Sequence, residues 1–213
     1  MASGALVTFF LNILSALVAL LTSYYAYKAH RFIPSSLLWA ISIGFMLLGL
    51  GLVVDAGTSL VTGRTLVESF SDRVLTLLAS LSYLTIQMVA YLVMAVGYAR
   101  VAFGSQAKTA APLALAGSAL AGLYGYSILS YFVTFVLLAF IVFQGVLIRS
   151  GDKRGLSGMV LLAFVLVFAA HFVFLVSVLV LGSGLFLIGT IVQFLGFLSL
   201  LIFVVRSEVV GPR

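Results

Sequence analysis

Six polar side chains lie inside long apolar stretches of this chain of 213 residues, and their types could support chemistry there. They are Asn12, Asp55, Gln87, Tyr91, His171 and Gln193. An imidazole can exchange a proton near neutral pH, a carboxylate can attract a cation, and amides or phenols can hydrogen-bond a polar ligand. Polar groups in hydrocarbon must find partners, so we expect these residues to face one another or a hydrated cavity.

The spacing of the polar residues places them on single faces of helices, because steps of three and four residues mark one side of a helix. The first apolar stretch carries Thr8, Asn12, Ser15, Ala19 and Thr22 in such steps. A later stretch carries Thr76, Ser80, Tyr83, Gln87, Tyr91, Met94 and Tyr98, and the last one carries Gly189, Gln193 and Gly196. We predict that these three faces converge inside a bundle, with Gln87 and Gln193 near mid-membrane. The alternative is interhelical hydrogen bonding without a cavity, at about 0.6–2 kcal/mol per bond.

His171 and Asp55 each allow two interpretations. We expect His171 to be a buried neutral imidazole bonded to a carbonyl or an amide, and the alternative is a proton-responsive group. We expect Asp55 to close its helix at the outer end, where lipid head groups solvate it. Alternatively, Asp55 stands at the mouth of a cavity and exchanges protons with His171. Gln144 is expected at the inner interface of the membrane.

Residues for several kinds of catalysis and cofactor binding are missing from the sequence. The chain has no cysteine, which excludes thiolate chemistry, and its other histidine, His30, is expected in an inner loop, which argues against a bis-histidine haem. All three lysines fall in predicted loops, so none can form the buried Schiff base that retinal needs. Gly117 and Ser118, taken with His171, faintly resemble the serine and histidine of rhomboid proteases, but the fuller motifs are missing. We therefore expect no enzyme activity, no metal and no cofactor.

Seven apolar stretches must position these residues. The chain is 64% apolar and 8% charged, with a mean hydropathy of +1.33, whereas about a quarter of the residues of a soluble domain are charged. Stretches of about 20 apolar residues cross a membrane as helices. We predict an all-α fold with seven transmembrane helices in one domain, 1–213. The helices are expected at 5–28, 36–56, 74–100, 109–125, 128–149, 156–181 and 185–206.

Positive charge lies almost entirely in alternate gaps between these helices and at the C-terminus. Nine of the eleven Lys and Arg residues are placed in this way: Lys28, Arg31, Arg100, Lys108, Arg149, Lys153, Arg154, Arg206 and Arg213. Because cytoplasmic loops carry the excess of Lys and Arg, we predict an outside N-terminus, a cytoplasmic C-terminus and a place in the cell membrane. The basic residues stand singly at helix ends, which favours anionic lipid head groups over nucleic acid as their partners.

The 109–125 helix is short and rich in small residues. Ala110, Ala114, Ser118 and Gly122 recur at four-residue spacing on one face. Such a face allows close approach of a neighbouring backbone. We expect this helix to pack inside the bundle, and the alternative is that it forms the contact of a homo-oligomer.

An internal repeat is indicated by the last three helices, which align with the first three. Gln193 then matches Gln87 and Arg206 matches Arg100, because both pairs are 13 residues apart. The alignment indicates a 3+1+3 parallel repeat with the 109–125 helix as linker. This arrangement resembles that of the small SWEET transporters, whose proline-glutamine signature is missing here.

Two functions fit these features. The first is a non-enzymatic membrane protein that binds or translocates a small solute or ion through an interior lined by Asn12, Gln87 and Gln193. The second is a sensor or accessory subunit that acts through a partner protein. An interior cavity would favour the first function, and a solid core with small-residue or apolar patches facing lipid would favour the second.

Overall fold

In a computed structural model, the described parts of the chain are 2–64, 70–103, 128–151, 158–180 and 183–209, and they hold six α-helices and no strand. The helices are α1 (Ala2–Phe32), α2 (Ser36–Arg64), α3 (Phe70–Phe103), α4 (Ile128–Gly151), α5 (Gly158–Val180) and α6 (Ser183–Val209). Six of the predicted helices are therefore confirmed. The predicted 109–125 helix, with its small-residue face and Ser118, lies outside the described residues.

Each described helix is long and apolar enough to cross a membrane. The apolar parts span 22 to 27 residues, from Leu6–Phe32 near the N-terminus to Gly184–Arg206 near the end of the chain. A helix of about 20 residues suffices for a hydrocarbon core. The protein is therefore a multi-pass membrane protein.

The helices extend beyond their apolar parts. The gap predicted at 57–73 is mostly helical, because α2 continues to Arg64 and α3 begins at Phe70. The prediction that Asp55 closes α2 is wrong, because Asp55 lies nine residues before the end of the helix. The end of the apolar run marks where a helix leaves hydrocarbon, whereas backbone hydrogen bonding continues until the chain meets a helix stop.

Six helices form a closed ring in which each one packs against its neighbours in sequence and α6 returns to α1. α1 and α2 are antiparallel, since Asn12 contacts Asp55 and Ser23 contacts Ser42. The serines bond reciprocally: the Ser23 hydroxyl donates to the Ser42 carbonyl at 2.8 Å, and the Ser42 hydroxyl donates to the Ser23 carbonyl at 3.0 Å. Each polar side chain thus finds a partner on the facing backbone.

α3 runs antiparallel to both α2 and α5. Gly44 of α2 lies against Met94, whereas Gly51 lies against Ile86. Side chains of α3 and α5 contact each other across the bundle. The ring centroids of Tyr91 and His171 are 5.2 Å apart, and those of Tyr98 and Phe164 are 5.4 Å apart. In both cases a later position in α3 pairs with an earlier position in the facing helix.

α4 is also antiparallel to α5, so α3 and α4 are parallel neighbours. The Tyr131 ring lies 5.9 Å from Phe174, and the Phe135 ring lies 4.7 Å from Phe168. The last described residue of α3, Phe103, and the first of α4, Ile128, consequently lie at opposite ends of the bundle.

The basic helix ends gather at one end of the bundle. α6 is antiparallel to α5, because Gly189 contacts Phe174 and Gly196 contacts Val167, so α1, α3, α4 and α6 share one direction. Exposed arginines stand near the C-terminal ends of these four helices, at Arg31, Arg100, Arg149 and Arg206. The alternation of charge along the sequence thus corresponds to one basic end in space.

Candidate functional site

A hydrogen bond between α3 and α5 defines the centre of the bundle. Gln87 Nε2 lies 2.7 Å from His171 Nε2, and both side chains are buried. His171 and Gln193 each stand two residues from the centres of the spans 158–180 and 184–206. Gln87 and Gln193, at 1% and 2% exposure, turn toward the interior of the bundle.

The geometry around His171 fixes its tautomer. Its Nδ1 lies 2.8 Å from the backbone carbonyl of Val167, and a carbonyl can only accept, so Nδ1 carries the proton. Nε2 is then the acceptor, and the Gln87 amide nitrogen donates to it. His171 is a neutral imidazole bonded to both a carbonyl and an amide, which agrees with the first interpretation of its sequence context.

Gln193 of α6 points into the same interior, where its amide lies beside the Tyr83 hydroxyl of α3. Gln193 Nε2 is without a hydrogen bond. Gln87 is therefore bonded to His171, whereas the Gln193 nitrogen has no partner among the described residues.

Three buried polar atoms lie beside the bond between Gln87 and His171 without hydrogen bonds of their own. They are Gln87 Oε1, the Tyr91 hydroxyl and Gln193 Nε2. The amides of Gln87 and Gln193 both lie beside the Tyr91 hydroxyl, in a geometry that forms no hydrogen bond. Buried polar groups are satisfied in the great majority of cases, so these three atoms are available to hydrogen-bond a further group.

A second polar pair joins α1 to the C-terminal part of α2. Asn12 Nδ2 of α1 donates to Asp55 Oδ2 at 2.6 Å. Asp55 is half-buried, and its carboxylate lies within electrostatic range of the Tyr83 and Tyr131 hydroxyls. The expectation that Asp55 closes its helix is wrong, because α2 continues past it to Arg64.

The predicted site residues thus divide into two groups. Gln87, Tyr91, His171 and Gln193 form the central cluster, and Asn12 and Asp55 form the outer pair. Tyr83 lies beside both groups, because its hydroxyl is close to the Gln193 amide and within electrostatic range of Asp55. The sequence predicts Tyr83 on the polar face, four residues before Gln87, but does not assign it to the site.

Gln144 differs from its expected position at the membrane interface. It is fully buried on α4, at 0% exposure, and neither its amide oxygen nor its nitrogen has a hydrogen bond. The side chains of Thr76 and Ser80, predicted on the polar face of α3, lie outside the described part of the chain.

The interior of the described ring is closely packed around Tyr91. A narrow apolar crevice beside Tyr91 is lined in part by Phe45, Phe164, Val167 and Phe197, and it has no space for a water molecule. No group of three metal-binding side chains occurs in the described ranges. The central cluster therefore offers hydrogen-bonding groups in a closed site.

Comparisons of the chain with family models, with curated proteins and with solved structures found no match.

Proposed function

We propose that the protein binds or passes a small solute or ion through the polar interior of its helical ring. The observation that carries this proposal is the convergence of Gln87 Oε1, the Tyr91 hydroxyl and Gln193 Nε2, all buried and without a hydrogen bond. Leaving a buried polar group unsatisfied costs about 1–3 kcal/mol. A ligand that bonds all three atoms would recover this free energy.

The same proposal includes a seventh crossing by residues 104–127. α3 and α4 are parallel, so the chain that leaves α3 at one end of the bundle must enter α4 at the other. As a helix this segment would extend about 36 Å, and the hydrocarbon core is about 30 Å thick. With the basic end facing the cytoplasm of a cell membrane, the N-terminus is outside and the C-terminus inside.

A parallel repeat accounts for the burial pattern of the two halves, the N-terminal half being α1–α3 and the C-terminal half α4–α6. Positions matched at the register of Gln87 and Gln193 are buried in both halves. The matched pairs are Gln87 and Gln193, Tyr91 and Phe197, Met94 and Leu200, and Tyr98 and Val204. Each half then contributes one glutamine at the same depth, so the site lies between the halves.

The function we propose is not enzymatic. Gln87, Tyr91, His171 and Gln193 provide hydrogen-bond donors and acceptors, and His171 has both nitrogens bonded. An acyl-transfer or hydrolytic site would need a nucleophile beside a base, and the central cluster pairs its histidine with an amide instead.

A second candidate function is an accessory subunit that acts through a partner in the membrane. The observation that favours it is the closed interior, which has no space for water in the crevice beside Tyr91. In that case the polar contacts serve only to fix the packing of the helices.

Thermal unfolding of the purified full-length protein across a panel of ions and small metabolites tests the proposal, because a ligand that binds only the folded state raises its apparent stability. We expect a stabilising compound whose effect is kept in Gln144→Met and lost in Gln193→Met. Both glutamines are buried, but only Gln193 lies in the central cluster. A panel without any stabilising compound, or a compound equally effective on Gln193→Met, would contradict the proposal and favour the accessory function.

A further inference from the structure

The central cluster combines one free acceptor, one free donor and one free hydroxyl. The bond with His171 orients the Gln87 amide so that its oxygen is free, and Gln193 has its nitrogen free. Between them stands the Tyr91 hydroxyl, which can donate or accept. A ligand that satisfies all three must itself carry a donor and an acceptor side by side.

The central cluster also has no charge to offer. Its amides and phenol are neutral, and His171 is the neutral tautomer whose nitrogens are both bonded. The nearby carboxylate of Asp55 lies within electrostatic range of Tyr83 and already accepts a hydrogen bond from Asn12. A charged ligand would be desolvated here without an opposite charge, which costs several kcal/mol.

We propose that this cluster takes a small uncharged solute in which a hydrogen-bond donor adjoins an acceptor, the chemistry of a primary amide or a urea. This assignment rests on the proposed function and names the ligand class of the same site. An amide N–H would donate to Gln87 Oε1, and the amide carbonyl would accept from Gln193 Nε2.

The packing of the two halves indicates how such a solute enters a closed ring. Glycines that bring helices close together do so within one half: Gly44, Gly51 and Gly97 between α2 and α3, Gly49 between α1 and α2, and Gly189 and Gly196 between α5 and α6. The contacts of the central cluster, Gln87 with His171 and Tyr83 with Gln193, instead connect the N-terminal half to the C-terminal half. Separation of the halves would therefore open the site and leave the glycine contacts intact.

Two pairs of probes with matched shape test the ligand class in liposomes that contain the full-length protein. The pairs are acetamide with acetate, and urea with guanidinium, and the measurement is the flux of each labelled probe above that of protein-free liposomes. We expect the neutral member of each pair to cross faster by about tenfold or more, because burial of an unpaired charge is costly. Faster flux of acetate or guanidinium, or no flux of any probe above background, would overturn the assignment.

A pair of tyrosine variants on α3 tests the site itself. The Tyr91 and Tyr98 hydroxyls are both buried and without a hydrogen bond, but only Tyr91 lies beside the two glutamines. Tyr91→Phe should leave the stability of the closed protein unchanged or raise it, because it removes an unsatisfied hydroxyl, and it should slow acetamide flux about fivefold, the effect of one lost hydrogen bond of about 1 kcal/mol. Tyr98→Phe should have the same effect on stability and leave acetamide flux unchanged.

Equal slowing in both tyrosine variants, or normal flux in Tyr91→Phe, would overturn the assignment. If these flux experiments fail while the stability screen still finds a compound whose effect depends on Gln193, the ligand class is wrong and the interior site remains. If the screen also fails, the proposed function is wrong.

Discussion

At the scale of single residues, two glutamines of the bundle are almost equally buried but differ in their partners. Gln87 is 1% exposed and donates to His171, whereas Gln144 is 0% exposed and has no hydrogen bond. We expect Gln87→Met to lower the free energy of unfolding by about 1–2 kcal/mol, because it removes a hydrogen bond and leaves the His171 Nε2 acceptor without a donor. Gln144→Met should leave the free energy unchanged or raise it, because it removes two unsatisfied polar atoms.

Titration of the detergent-solubilised protein with a denaturing detergent measures both glutamine variants under one condition. A double variant, Gln87→Met with His171→Phe, provides the control. The double variant should lose less free energy of unfolding than the sum of the losses of the two single variants, because no His171 nitrogen is left without a hydrogen-bond donor. Equal losses for Gln87→Met and Gln144→Met would show that the bond between Gln87 and His171 contributes nothing to stability.

The residues that face the interior follow from the sequence, whereas their partners do not. Asn12, Gln87 and Gln193 are buried because the helical period places them on the faces that turn away from lipid. The bond of Gln87 with His171 depends on the depth and rotation of α5 relative to α3, which no local pattern encodes. The sequence therefore indicates which polar side chains are buried but leaves the hydrogen bonds between them open.

At the scale of helices, glycines set the distance between neighbours within each half. A Cβ built on Gly97 would overlap the Cβ of Ala40, whereas a Cβ on the exposed Gly57 would have nothing within 4 Å. We expect Gly97→Ala to lower the free energy of unfolding by about 1–3 kcal/mol, because α2 and α3 must move apart. Gly57→Ala should be neutral or raise the free energy by up to about 1 kcal/mol, because alanine loses less backbone entropy in a helix.

The same denaturing titration compares the two glycine variants. Both residues lie in described helices of the N-terminal half, and both variants add one methyl group, so the comparison isolates the local space. A neutral Gly97→Ala would mean that α2 and α3 are packed less closely than the structure shows.

Helix ends are less predictable than helix centres in this chain. Hydropathy locates the apolar centres of α2 and α3, but α2 continues to Arg64 and α3 begins at Phe70. Outside hydrocarbon the apolar signal vanishes, although water and head groups still allow a helix to continue. Hydropathy consequently predicts a helix terminus at Asp55, although Asp55 lies within α2 and accepts a hydrogen bond from Asn12.

At the scale of the whole molecule, the order and direction of the helices determine which helix ends lie together at one end of the bundle. Alternating charge predicts that alternate loops share a side, and the arginines of α1, α3, α4 and α6 do lie at one end of the ring. The shared direction of α3 and α4 agrees with the seven predicted crossings, whereas their packing side by side is beyond the reach of local sequence patterns, because it appears only in contacts between distant segments.

The seventh crossing can be tested with single cysteines, because the chain has none of its own. Ser105 and Ser127 are polar positions close to the two ends of the segment between α3 and α4. With a membrane-impermeant thiol reagent, we expect Ser105→Cys to react only from the cytoplasmic side and Ser127→Cys only from outside. Ser35→Cys and Gly182→Cys serve as the inside and outside references, since they lie between α1 and α2 and between α5 and α6. Reaction of Ser105→Cys and Ser127→Cys from the same side would mean six crossings, and the parallel repeat would then be wrong, because it requires α4 to follow the direction of α1.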